Sequence, residues 1–478
     1  MKDQPGSKEA ALVQRAATLM RLPAVTSLGF GLALVLAGCG ASPTPQVTKG
    51  FPGADAGAQS LPAVQGFAGV APVPALRSNA EMAADFLDLE FRMESGRPLP
   101  VLTRFEGPIR VRMTGAVPAA ARAELGRVIQ RFRREAGLDI AYADGAEANI
   151  VIDFRPRSAL RRAVPSAACF VVPNVASFDQ YMRMRNSAQV DWAQIMRRDR
   201  AAIFVPSDTS PQEVRDCLHE ELAQAMGPLN DLFRLPDSVF NDDNFHAVLT
   251  GFDMLMLRTH YAPELRSGMT REEVAARLPA ILARLNPRGQ SIPGSPRQMT
   301  PRAWISAVQS SFTGTSTARL SEAETLVSIA RAQGWADGRL AFSYFARARA
   351  RTGTDMQGAL SDYAEAARIW RSLPGGAIHA AHVDMQLSAF ALSAGQFDRV
   401  IELTTRAIPV ARQHQNGSLV ASLLAMKAEA LAATGRSAEA RSTRLDSLAW
   451  ARYAFGSDAQ VRARMSDIAA LASRGARG

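Results

Sequence analysis

At 478 residues the chain is longer than one hydrophobic core sustains, so two or more domains are expected. Apolar residues at 47% and charged residues at 21% are ordinary for a soluble globular protein. The formal charge of +10 comes mostly from arginines scattered through both halves. Scatter of that kind argues against nucleic acid as a partner and favours a solvated basic surface near anionic lipid or polymer.

Lys2, Lys8, Arg15 and Arg21 precede an apolar run from Leu22 to Leu36, with small residues after it. This is the layout of an export signal, and the run is too short for a spanning helix. It closes on Leu36-Ala37-Gly38-Cys39, which resembles the bacterial lipobox. The resemblance implies cleavage of residues 1–38 and a lipid anchor on Cys39. Cleavage takes away four basic and two acidic side chains and leaves the mature chain near +8. Gly40 and Ala41 follow, without the aspartate that would signal inner-membrane retention, so the periplasmic face of the outer membrane is the expected location. Cys169 and Cys217 remain, and in an oxidising periplasm an even pair reads as a disulfide, two buried thiols being the alternative.

Residues 39–80 are rich in Pro, Gly, Ala and Ser without a sustained apolar period, which predicts a flexible tether. Met82–Phe91 then reads as a short amphipathic helix, and Ile109–Met113 alternates as a strand. Pro118–Ala136 carries Leu125, Val128, Ile129 and Phe132 on one face and stops at Gly137. Asp139–Tyr142, Ala148–Phe154, Ala168–Val172 and Ala201–Val205 are further strands. Ser210-Pro211 opens a helix that runs to Met226 and breaks at Gly227-Pro228, and another helix runs from Leu249 to Tyr261. The order predicts an α+β domain over residues 81–290.

A Pro/Gly/Ser-rich stretch near residues 286–301 marks a boundary, beyond which residues 301–478 read as almost all helical. Gly314, Gly353, Gly395 and Gly435 recur at intervals of about 40 residues between helical segments, which predicts an all-α helical-repeat domain. The turns resemble a long variant of tetratricopeptide repeats, which implies a groove for a protein or peptide partner.

The chemistry-bearing stretch is Cys217-Leu-His-Glu-Glu-Leu-Ala-Gln-Ala-Met-Gly-Pro-Leu-Asn-Asp231. A metzincin peptidase sets two histidines one helical turn apart on one zinc, a glutamate beside the first to activate water, and a glycine that turns the chain towards a third ligand. Started at His219, that register fails, because Ala223, Met226 and Leu229 fall on the later positions. Started at Glu220, every spacing fits: Glu220, Gln224 and Asn230 stand in the ligand places, Glu221 in the general-base place and Gly227 at the turn. Residues 148–154 are similar to the strand ahead of the active helix in matrixin-like peptidases, and Asp237-Ser-Val-Phe240 falls where those proteins have their Met-turn. The pattern also resembles an uncharacterised group of bacterial envelope proteins with the domain of unknown function numbered 2927.

The resemblance implies a zincin-like fold whose zinc ligands have been replaced. Glu220, Gln224, Asn230 and Asp231 offer only oxygens, which suit Ca²⁺, Mg²⁺ or Mn²⁺ better than Zn²⁺, so either no cofactor or a divalent metal is expected. Without zinc, Glu221 has little to activate. His219 points about 100° away from Glu220 on the helix. His246 and His260 read as surface or cap residues, and His379, His382 and His414 as incidental. The expectation is a lipid-anchored binding or scaffolding protein of the cell envelope. The alternative is a metal-dependent hydrolase of peptide or cell-wall bonds with Glu221 as base.

Overall fold

A computed structural model describes residues 62–67, 74–75, 77–143, 145, 147–165, 167–241, 243, 245–294 and 298–475. Residues 1–38, read above as a signal segment, and Cys39 lie outside the described residues. No described helix is long and apolar enough to cross a membrane.

All five expected strands are present, as β1 (Ile109–Gly115), β2 (Ile140–Tyr142), β3 (Ile150–Arg155), β4 (Phe170–Pro173) and β5 (Ala201–Pro206). They form one sheet in the order β2-β1-β3-β5-β4. The β1–β2, β1–β3 and β3–β5 pairs are parallel, and only β4 runs antiparallel, against β5. The α+β expectation is therefore refined to an α/β region with a mixed, mainly parallel sheet. Periodicity reports which residues alternate but not which way a strand runs. The near-continuous burial of β3 and β5 is what parallel strands covered on both faces require.

One face is covered by α1 (Asn79–Glu90), α2 (Ala121–Glu135), the motif helix α5 (Pro211–Met226), α6 (Gly251–His260) and α7 (Arg271–Leu285), whose apolar side chains join Ile150, Ile152, Ile203 and Val205 in the main core. The other face is covered by two short helices that periodicity did not reveal, α3 (Arg157–Ala163) and α4 (Phe178–Met184). There Leu160, Val172, Val175 and Phe178 pack on Ala202 and Phe204. α7 was also unforeseen, although Thr270 and Glu273 form a reciprocal capping box at its start.

The remaining helices alternate in pairs: α8 (Arg302–Ser311) with α9 (Ser316–Ala332), α10 (Gly338–Arg351) with α11 (Met356–Ser372), α12 (Ala377–Ser393) with α13 (Phe397–Gln413), and α14 (Gly417–Ala433) with α15 (Ser437–Phe455). The four marker glycines turn the chain within each pair with φ of +79°, +94°, +70° and +77°, a backbone state that only glycine adopts without strain. A last helix, α16 (Asp458–Gly475), packs on α12 and α14. α12 and α14 are buried on nearly every side, the pattern of an inner layer covered by other elements rather than of an open wall.

The α/β region supplies part of that cover. Arg215 of α5 is 1% exposed, donates to Gln415 and lies 3.4 Å from the Tyr453 hydroxyl of α15. Gln212 Oε1 accepts from the Gly417 backbone N–H at 2.8 Å. Residues 62–67, expected within the tether, are docked as well. The Phe67 ring packs tilted against Trp450 at 4.5 Å, and the Gln65 N–H donates to the Ala449 carbonyl. One aromatic ring anchors a stretch that composition alone marks as flexible.

Candidate functional site

The motif helix begins as its sequence dictates. Ser210 is the N-cap, its hydroxyl accepting from the Glu213 N–H, and Pro211 occupies the first turn. Cys217 is joined to Cys169 beside β4 by a disulfide with Cα atoms 6.0 Å apart, which ties the helix to the sheet edge.

The C-terminal end of α5 is buried, and its last carbonyls would be costly to leave unpaired. Arg198 answers three of them, donating to Gln224 O at 2.6 Å, Ala225 O at 2.8 Å and Gly227 O at 2.5 Å, with Nε on the Thr103 hydroxyl at 3.1 Å. Its cation also suits the negative end of the helix dipole. Tyr261 donates its hydroxyl to Met226 O at 3.0 Å. Gly227 ends the helix at φ −154°, so left-handed geometry does not explain the glycine. A Cβ there would lie 3.4 Å from both Glu90 Oε1 and the His260 ring, at ordinary van der Waals contact, so packing does not explain it either. Those two side chains are themselves a buried pair, His260 Nδ1 lying 2.9 Å from Glu90 Oε1, so His260 is a core residue rather than a surface one.

His219 faces α2, away from the other motif residues. Its Nδ1 accepts from the Leu249 N–H at 3.3 Å, so the ring proton resides on Nε2, 3.5 Å from Glu124 Oε1. Burial lowers the His219 pKa to about 4, against the opposing pull of Glu124. The Glu124 carboxyl is itself held down at about 2, because His219, Arg215 and Arg127 outweigh its burial.

Glu221 is 5% exposed, and its Oε2 has no hydrogen-bond partner. Burial, reinforced by the neighbouring charges of Glu220 and Glu94, holds its carboxyl well above the usual range. Gln224 is also buried and Glu220 half-buried. Asn230 is fixed by its amide, which donates to Asp88 O at the end of α1 at 2.8 Å.

Asn230 and Asp231 form part of a cleft of about 380 Å³. Its other walls include Arg92 and Glu94 from a hairpin after α1, Phe233 from the loop after α5, and Arg302 from α8. Arg302 donates to Glu94 O at 2.8 Å and pins the hairpin to the first paired helix. Burial raises the Glu94 carboxyl, partly offset by a hydrogen bond with Asp231. Asn230 and Asp231 line this cleft and Glu220, Glu221 and Gln224 do not, although the charge of Glu94 on its wall reaches Glu221. Among the described residues no three His, Cys, Asp or Glu side chains converge as metal ligands. The Glu220, Gln224 and Asn230 set is oxygen-only and does not suit zinc.

Sequence reasoning missed Glu94, Arg198 and the meeting of four histidines from distant segments. No local pattern points to Glu94 or Arg198, whose roles depend on chain segments far away in sequence. His246, His379 and His414, read as surface or incidental, are in ring contact: His246 lies 5.6 Å from His379 and 5.6 Å from His414.

Fold and cleft together describe an α/β domain that shares a wall with a paired-helix array. Residues 79–280 match the family described as "Protein of unknown function (DUF2927)", a span that contains the sheet, the motif helix and α6. No curated protein matches, and no solved structure matches.

Proposed function

We propose that the protein is a lipid-anchored binding or scaffolding protein on the periplasmic side of the outer membrane. In this reading its α/β domain is a zincin-like fold that no longer hydrolyses, and its paired helices are tetratricopeptide-like. The observation that carries the reading is the division of the motif. The would-be base Glu221 is buried, its carboxyl held up by burial and by the charges of Glu220 and of Glu94 on the cleft wall, whereas Asn230 and Asp231 line the cleft itself. The cleft supports binding of an extended polar chain such as a peptide, because it combines the carboxylates of Glu94 and Asp231, the guanidinium groups of Arg92 and Arg302, and the apolar Phe233. Charges of both signs fix register along such a chain, and an aromatic floor supplies contact area.

Metal analysis of the purified mature protein tests the reading: less than one equivalent of tightly held zinc is expected, and one zinc per chain sinks it. A peptidase and cell-wall-peptide assay of wild type against Glu221→Gln provides the second arm. A rate present in the wild type and lost in the variant establishes the hydrolase alternative.

A further inference from the structure

The inner face of the paired helices, where a repeat domain would take a partner, is covered by the chain's own loop after α5. Phe245 on that loop is 1% exposed. Its ring lies 5.4 Å from Phe345 of α10, 5.6 Å from Trp370 of α11, and 4.8 and 4.7 Å from His379 and His382 of α12. Four of the chain's six histidines gather around this anchor.

Hydrogen bonds fix several of their protons. Asn416 is the N-cap of α14, its Oδ1 accepting from the Leu419 N–H at 3.0 Å, so its amide nitrogen is the end facing His382. That nitrogen donates to His382 Nε2 at 3.3 Å, which makes Nε2 an acceptor and the ring neutral. A second proton on His382 would set two donors against each other. The remaining His382 nitrogen, Nδ1, is buried without a partner. His246 Nε2 lies 3.0 Å from Pro236 O, an acceptor only, and its ring faces His379 and His414. His379 Nε2 faces Asp243 Oδ2 at 2.8 Å, so among the described residues this histidine alone keeps a carboxylate partner when charged.

Among the described residues the other groups around the seam supply no further anion. Trp370 of α11 stacks on His379 at 5.2 Å. From α5 the facing charge is the Arg215 cation, which reaches the turn through Gln415. Asp384, further along α12, is engaged by Arg371 and Arg406, and Asp237 of the loop pairs with Arg77.

We propose that this loop is an acid-released latch, seated on the inner face of the helices only while His246, His382 and His414 are neutral. Release uncovers the aromatic floor of Phe345 and Trp370. Burial and the neighbouring rings support the geometry by lowering His382 to about 3 and His414 to about 4, and His246 well below its usual value. With pKa values depressed in the seated state and near 6.5 once exposed, the released state binds more protons. Seating therefore weakens as pH falls below about 6.5, and each such histidine favours release roughly 30-fold more at pH 5 than at pH 8.

Hydrogen exchange of the full mature chain, corrected for intrinsic rates, tests this between pH 8 and pH 4.5. Peptides over residues 236–247 should lose protection below about pH 6.5, while those over β3 and β5 keep theirs. His382→Gln retains an acceptor for Asn416 but takes up no proton, and combined with His414→Gln it should reduce the pH effect at least 10-fold. His414→Gln alone, at the half-buried edge, serves if the double variant does not fold, and should reduce the effect measurably. The proposal is overturned by unchanged loop protection down to pH 4.5, by full pH dependence in the variants, or by simultaneous loss in the strand peptides.

Discussion

The carboxylate cleft and the histidine seam flank the same loop, and both crowd titratable groups of one kind into little space. In the cleft, acids are gathered beside an opening, with Arg92 and Arg302 on the walls and Glu94 hydrogen-bonded to Asp231. In the seam, neutral imidazoles are sealed under Phe245, and among the described residues Asp243 is the one carboxylate that faces them. The difference teaches where each can respond. Charges beside an opening can be compensated by a ligand, whereas buried bases can be compensated only by moving apart.

The comparison can be broken most severely from behind the cleft. Arg198→Met removes the donor to three carbonyls of the motif helix and should destabilise the protein by about 3 to 5 kcal/mol, measured by urea unfolding. A loss below 1 kcal/mol would show that water replaces the guanidinium there. Phe245→Ala attacks the seam instead and should cost about 3 to 4 kcal/mol, with protection lost first in residues 236–247.

Replacing Cys169 and Cys217 by serine frees the motif helix from the sheet edge across a sequence separation of 48 residues, and should cost about 2 to 4 kcal/mol. Equal unfolding midpoints of the wild type with and without reductant would contradict this. Glu221→Gln sharpens the contrast through pH. The folded state holds the wild-type carboxyl above its usual pKa, so the fold loses stability as pH rises past the unfolded value. The variant should be more stable by about 1 to 3 kcal/mol at pH 8, and this gain should vanish near pH 4. Asn230→Ala, which removes the donor to Asp88 O, should have the smallest effect, about 1 kcal/mol in a thermal melt.

Much of the fold was legible locally. Alternation located β1 and short apolar runs the other four strands, Ser210-Pro211 marked the start of the motif helix, and regularly spaced glycines marked the turns within helix pairs. α3 and α4 were missed because each spans only seven residues, too few to display a helical period. α7 was missed although Thr270 and Glu273 could have marked its start, because Pro279 interrupts the pattern that follows. The pairing of Cys169 with Cys217 was the natural expectation for two cysteines in an oxidising compartment.

By itself the sequence determined the strands and most of the helices, since these depend on residue type and short-range periodicity. Tertiary structure alone decided strand direction, the burial of Glu221, the capping of the motif helix by Arg198, and the covering of the inner helical face by Phe245. It also brought together His246, His379, His382 and His414, which are spread over nearly 170 positions. Each of these rests on contacts between distant segments, and the energy of burial that selects them depends on what lies opposite a residue in space. No local pattern records that.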